Sequence, residues 1–222
     1  MRFLSTPFGW VTWNLFLAAV PVGLAHLLCW AGRRSQKRPL YAPLAWLAGL
    51  LWIVFLPNTC YLLTEWRHFL GMLDSRDMYV LSQFNRGITA KLMIYTVFYF
   101  CYSGAGMLAF ALAIRPVHRL FRELGATVWV YGAALFLLVS LGVYLGLVPR
   151  FNSWNLVNRP DQIWQTIAHV AHRPKLSAFM VAFAGVLWIG YAVIDIWFDG
   201  LILRYGRLLC HEGQIDSGKL GS

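Results

Sequence analysis

Charge is what this sequence has least of. Only 13% of its 222 residues are Asp, Glu, Lys or Arg, about half the share of a typical soluble domain. Hydrophobic residues make up 59% of the chain, and the mean hydropathy is +0.58. A globule of this composition could not cover its surface with polar groups. The composition excludes an ordinary soluble domain and predicts an integral membrane protein in a lipid bilayer.

Metal-ligand and nucleophile motifs are also missing. The four cysteines form no CxxC or similar spacing, and no GxSxG sequence occurs, so neither a zinc site, a disulfide framework nor a serine hydrolase is indicated. His169 and His172 could join Glu65 and His68 around a metal, but the HxxH spacing is weaker than the i, i+4 spacing of known metal helices. We therefore predict no metal and no cofactor.

Acidic residues are few, nine against 19 basic ones, which gives a net charge of +10. The basic residues stand in short clusters between apolar runs, as loop anchors of membrane proteins do. No basic helix and no aromatic platform for RNA is evident. The charge therefore predicts contact with the membrane surface and no nucleic-acid partner.

The apolar runs predict an all-α integral membrane bundle of about five transmembrane helices in one domain, 1–222. The expected spans are listed here in chain order: about 8–30, 41–63, 92–114, 126–148 and 176–198. The first run is too long for a signal peptide and is expected to stay uncleaved. In the last long loop, Asn158 as a cap and Pro160 in the first turn predict a helix lying in the membrane interface.

Basic residues are densest in the two short connections, between spans one and two and between spans three and four, and in the C-terminal tail. The positive-inside rule places these segments in the cytoplasm. The prediction is a multi-pass protein of the bacterial plasma (inner) membrane. Its N-terminus and both long loops lie outside, and its C-terminus is cytoplasmic.

The stretch "FLPNTCYLLTEW" puts a helix breaker near the end of the second span. Pro57 has no amide hydrogen and clashes with the carbonyl of Ile53, and in hydrocarbon a freed carbonyl needs another partner. Asn58 and Thr59 add polar groups at the same level. We expect residues 56–59 to face the bundle interior or a wet cavity. The alternative is a plain kink, with Asn58 bonded to a neighbouring backbone.

Further polar residues follow at the exit of this span. Glu65 and His68 are three residues apart, so on a continuing helix they share a face. The alternative is an interfacial Glu65 paired with Arg67 or with water. Near the end of the fifth span stand Asp195 and Asp199. Acids within a span are suspected of function, but these two are expected to reach water or Arg204.

A second polar segment, "RFNSWN", follows the fourth span. Spans two and four leave the membrane on the same face, so we expect both segments to form one site, although the second could merely make a turn and cap the next helix. The candidate substrate-binding residues are Asn58, Thr59, Tyr61, Thr64, Glu65, His68, Arg150, Asn152, Ser153, Trp154 and Asn155.

These motifs, together with "YLG" at 144–146, resemble a domain-of-unknown-function family of small bacterial multi-pass membrane proteins. The family pattern has Leu-Pro-Asn, a Tyr and Thr-Asp, then Tyr-Leu-Gly-Arg and Arg-Trp-Asn-Ser-Trp-Asp. Here Glu65 replaces the first Asp, Leu147 the Arg and Asn155 the last Asp. The missing second carboxylate argues against paired-carboxylate catalysis.

Three functions stay open. The first is binding or transport of a small solute or lipid in an outer pocket; transport by so few helices would need a homo-oligomer or other membrane proteins as partners. The second is a membrane-embedded enzyme for a lipid-linked or envelope substrate, with Glu65 or His68 as base and Arg150 as anion clamp. The third is an assembly factor for membrane complexes. The sequence favours the first and names no substrate.

Overall fold

The computed structural model describes residues 7–75, 77–125, 128–149, 151 and 158–219. Within these residues the chain folds into helices and turns, with no strand. This confirms the predicted all-α bundle. The helices are α1 (Pro7–Ser35), α2 (Ala42–Phe55), α3 (Pro57–Thr64), α4 (Trp66–Ser75), α5 (Met78–Phe84), α6 (Arg86–Glu123), α7 (Val128–Leu147), α8 (Pro160–Ala171) and α9 (Pro174–Lys219), with a short 3-10 turn at Pro39–Tyr41 before α2.

Among the described residues, four helical segments are long and apolar enough to cross a membrane: Gly9–Ser35, Pro39–Asp74, Arg86–Glu123 and Pro174–Tyr205. The protein is therefore a membrane protein. A shorter apolar segment, Tyr131–Leu147 in α7, coincides with the fourth predicted span. The count of five spans and their limits stays a prediction.

Two segments that the sequence analysis treated as connections are helical. The chain after Thr64 folds into α4 and α5, and α6 continues through Pro116 to Glu123. The reason for the long α6 is a buried stripe at helical spacing: Phe110, Ile114 and Val117 are each at most 3% exposed. That stripe packs against the core and outweighs the hydrogen bond that Pro116 removes.

The core surrounds α6. Its buried residues pack against α1, α2, α7 and α9 in one contiguous apolar cluster. A hydrogen bond crosses this core: the indole Nε1 of Trp52 donates to the carbonyl oxygen of Ala113 at 3.0 Å. This hydrogen bond gives the indole N–H a partner that it would otherwise lack in the apolar core.

The short helix α3 sits unusually close to its neighbours because glycines face it. A Cβ atom at Gly106 of α6 would lie 2.6 Å from the Cβ of Leu62, and one at Gly142 of α7 would lie 2.5 Å from the Cγ of Pro57. Small residues allow this approach of backbones in membrane bundles. The glycine contacts fix the position of α3, and with it the polar residues at its end.

Candidate functional site

The break at Pro57 is buried, and a side chain of its own segment bonds to the backbone there. Leu56 separates α2 from α3, and the hydroxyl of Thr59 donates to the carbonyl oxygen of Leu56 at 2.8 Å. Leu56 and Thr59 have no exposed surface, and Asn58 is 9% exposed. The expected burial of residues 56–59 is confirmed, and Thr59 serves the backbone at the break.

The next polar residues of α3 also bond to backbone. The hydroxyl of Thr64 donates to the carbonyl oxygen of Tyr61 at 2.8 Å. The hydroxyl of Tyr61 lies 3.5 Å from the carbonyl oxygen of Gly142, and a Cβ at Gly146 would overlap the Tyr61 ring. The "FLPNTCYLLTEW" and "YLG" segments therefore meet in space. Of the predicted α3 residues, Thr59, Tyr61 and Thr64 are engaged in packing.

Glu65, in the turn between α3 and α4, is different. Its side chain is 13% exposed, and the Nε2 of His68 lies 3.5 Å from its Oε2. The two residues share a face, as predicted, and His68 rather than Arg67 lies within ion-pair distance. Oε2 is buried and accepts no hydrogen bond from the described residues.

Aromatic rings from two other helices complete the surroundings. The ring of Trp10 on α1 meets the ring of His68 edge-on at 6.2 Å between centroids, and lies 6.0 Å from the ring of Tyr102 on α6. Tyr102 is 4% exposed, and its hydroxyl faces the side chain of Asn14 on α1. We name Trp10, Glu65, His68 and Tyr102 the Glu65 cluster.

Sequence reasoning missed Trp10 and Tyr102. Each stands in an apolar run outside any motif, so no local signal distinguishes it from an ordinary aromatic residue of a span. Only the packing of α1 and α6 against α4 brings them to Glu65.

The second predicted segment lies outside the described residues. This concerns Arg150, Asn152, Ser153, Trp154 and Asn155. Their part in the site stays a prediction. It is favoured by the contact of Gly146 with Tyr61, because Gly146 lies at the end of α7, shortly before this segment. Among the residues that the structure describes, no three His, Cys, Asp or Glu side chains are grouped as metal ligands would be.

A different polar group lies near the other end of α6. The Nε of Arg115 is 2.8 Å from Oδ1 of Asp195, and its guanidinium also contacts Asp199. Arg119 stands 3.5 Å from the same Asp199 carboxylate oxygen. We name these four residues the Arg115 cluster. Arg115 is 9% exposed, so the charge is buried and paired.

The Arg115 cluster corrects two expectations. Arg115 and Arg119 belong to α6 and not to a loop, and both Asp195 and Asp199 pair with them instead of Arg204. A signal was present: the two arginines are four residues apart and so are the two aspartates. Residues four apart lie on one face of a helix. The two arginines of α6 and the two aspartates of α9 can therefore face each other.

The fold and these buried polar groups define a class, an α-helical integral membrane protein with polar clusters between its helices. A family model described as "Protein of unknown function (DUF1361)" matches residues 13–189. This is most of the chain, so the chain belongs to that family, and the predicted membership is confirmed. No curated protein and no solved structure matches the chain at a significant level.

Proposed function

We propose that the chain binds, at the Glu65 cluster, a small solute or a lipid headgroup that carries an organic ammonium group. The observation that carries the proposal is the buried carboxylate oxygen Oε2 of Glu65, which accepts no hydrogen bond from the described residues. Buried polar atoms in proteins nearly always have partners. An ammonium group placed against Oε2 would compensate this carboxylate.

The chemistry of the cluster favours a cation. Glu65 brings a carboxylate that is largely removed from water, and Trp10 and Tyr102 bring ring faces that attract ammonium groups. Carboxylates near the membrane interior are rare and usually serve ions or substrates. The ammonium group could belong to a free solute or to a lipid headgroup, since both share this chemistry.

We further propose that the cluster lies at the outer face of a bacterial plasma membrane, in a chain that crosses the membrane five times. Support comes from the dense arginines near Arg33 and Arg122, which the positive-inside rule assigns to the cytoplasm. These lie at the end of the bundle where Arg33 pairs with Glu123, away from Glu65. The N-terminus is then outside and the C-terminus inside.

A direct test uses the full chain purified in a neutral detergent and titrated with choline chloride, with sodium chloride as the salt control. Because Trp10 belongs to the cluster, we expect a saturable change in tryptophan fluorescence. Glu65→Gln keeps the side-chain size and removes the charge, and should weaken binding about tenfold or more. Glu123→Gln makes the same chemical change at an exposed site and should bind normally.

Equal binding by Glu65→Gln and Glu123→Gln would contradict the proposal, as would the lack of any saturable signal in the native chain. To separate the two sources of the ammonium group, the titration is repeated in nanodiscs of phosphatidylcholine and of phosphatidylglycerol. A lipid ligand lowers the apparent affinity for choline only in phosphatidylcholine. A solute ligand gives the same affinity in both.

A membrane-embedded enzyme is the second candidate, favoured by the 3.5 Å approach of His68 to Glu65, which suits a base and its partner. It would act on a lipid-linked or envelope substrate. The assembly-factor alternative differs from both, because it expects Glu65→Gln to leave function intact.

A further inference from the structure

A cavity of about 590 Å³ opens between α6, α7 and α9. It lies near the Arg115 cluster and not near the Glu65 cluster. Tyr102 of the Glu65 cluster and His118 at the cavity are on the same helix, about 24 Å apart along its axis at about 1.5 Å per residue. Its size is that of a pocket for a drug-sized molecule. The cavity is therefore a second candidate site.

The walls of the cavity are apolar, and they continue onto the lipid-facing surface. Leu135 and Phe136 of α7 form part of the inner wall and are at most 8% exposed. Val181 and Ile196 of α9 also line the cavity, yet are 61% and 72% exposed. In a membrane-spanning bundle such surface contacts lipid tails. A ligand would therefore enter from the bilayer.

One part of the wall carries hydrogen-bonding groups. The Nδ1 of His118 and the hydroxyl of Tyr191 are 3.0 Å apart. The ring of Tyr131 meets the His118 ring edge-on at 6.0 Å, and its hydroxyl oxygen is buried without a hydrogen bond to the described residues. The hydroxyl of Tyr131 could therefore donate a hydrogen bond to an oxygen of a ligand.

The charges around the cavity disfavour a ligand with an ionic headgroup. No Lys or Arg is among the described residues that line the cavity, and its one carboxylate, Asp195, is paired with Arg115 at 2.8 Å. An anionic phosphate would meet a carboxylate without a lining cation, and an ammonium group would compete with Arg115. An uncharged head that accepts hydrogen bonds fits best.

We propose that this cavity binds an uncharged amphiphile with a carbonyl-bearing ring, the chemistry of a membrane quinone. The ring packs among Phe136, Trp188 and Tyr191, which supply aromatic faces and edges. A ring carbonyl accepts a hydrogen bond from Tyr131. The apolar tail leaves past Val181 and Ile196 into the bilayer. The proposal concerns binding and is independent of the function proposed for the Glu65 cluster.

The test uses decylubiquinone and the full chain in phosphatidylcholine nanodiscs, with empty nanodiscs as the partition control. Bound quinone per protein is measured after equilibration and separation by size. Gly185 lines the cavity, and a Cβ there meets nothing within 4 Å, so Gly185→Leu fills the cavity without a clash at Cβ. Gly104→Leu is the matched control, because Gly104 is equally free of contacts and lies outside the lining.

We expect saturable binding by the native chain, retained by Gly104→Leu and weakened at least about tenfold by Gly185→Leu. Tyr131→Phe keeps the ring and removes the donor, and should weaken binding about two- to tenfold, the worth of one neutral hydrogen bond. Binding that partitions equally into empty nanodiscs, or that Gly185→Leu leaves unchanged, would overturn the proposal. So would displacement of the quinone by phosphatidylglycerol, which would identify a phospholipid site.

Discussion

The two polar regions along α6 hold buried charge in opposite ways. In the Arg115 cluster one arginine meets two carboxylates, and its Nε lies 2.8 Å from Oδ1 of Asp195. In the Glu65 cluster the carboxylate has only His68 at 3.5 Å, and one of its oxygens accepts no hydrogen bond from the described residues. In the first arrangement opposite charges within the protein neutralise the arginine, although the Nε of Arg115 makes no hydrogen bond to the described residues. In the second, we propose that a ligand supplies the missing opposite charge.

The difference separates structural charge from functional charge. A charge removed from water without a full set of partners lowers stability. Such a group is retained when a ligand uses it, and its removal then has little effect on stability or increases it. A fully paired buried charge shows the reverse behaviour, because removing one partner leaves the other buried and uncompensated.

The largest expected effect comes from breaking the paired cluster. Arg115→Ala leaves Asp195 without its partner and should lower the free energy of unfolding by about 3–5 kcal/mol. Arg119→Ala removes an exposed contact to Asp199 and should change it by less than about 1 kcal/mol. Thermal unfolding in detergent, followed by circular dichroism, measures both. Similar losses in the two variants would show that burial does not set the value of these pairs.

A smaller effect on stability is expected where α3 packs against the glycines of α6 and α7. This packing holds Glu65 in place. Gly142→Ala puts a methyl group 2.5 Å from the Cγ of Pro57, and such overpacking lowers stability by about 1–3 kcal/mol. Gly104→Ala adds the same methyl group where nothing lies within 4 Å, and should be neutral or stabilising because alanine favours helix. Unfolding of the two variants at equal midpoints would contradict the close packing of α3.

The smallest effect is expected at an exposed ion pair. Arg33 donates to both carboxylate oxygens of Glu123, at 3.0 and 3.1 Å, but both side chains are more than half exposed. Arg33→Ala should therefore cost less than about 1 kcal/mol, and less still in high salt. The same unfolding assay at two salt concentrations checks this. A loss of stability comparable with that of Arg115→Ala would contradict the comparison. The geometry of an ion pair, and not its burial, would then set its contribution to stability.

Much of the fold follows from the sequence, because long apolar runs and a proline are strong local signals. The runs predict the helices, and Pro57 predicts the break between α2 and α3. The helix that holds the third predicted span is longer than that span, because α6 continues past Arg115 and Arg119 to Glu123. The period of Ile114 and Val117 through that segment would have extended the helix.

The site is less predictable, because it depends on tertiary contacts. The spacing of Glu65 and His68 predicts their shared face. Nothing near Trp10 or Tyr102 in the sequence points to a partner on α4, and nothing near Gly146 predicts Tyr61. Such contacts arise from how whole helices pack, and a single sequence carries no record of which helices are neighbours.

The central claim is that Glu65 is held for a ligand while the Arg115 cluster serves the fold. Its most direct test compares the unfolding of Glu65→Gln with that of Asp195→Asn, two variants that each replace a carboxylate by its amide. We predict that Asp195→Asn lowers the free energy of unfolding by at least about 1 kcal/mol, and that Glu65→Gln leaves it unchanged or raises it. A clear loss in Glu65→Gln, equal to or larger than that in Asp195→Asn, would contradict the account.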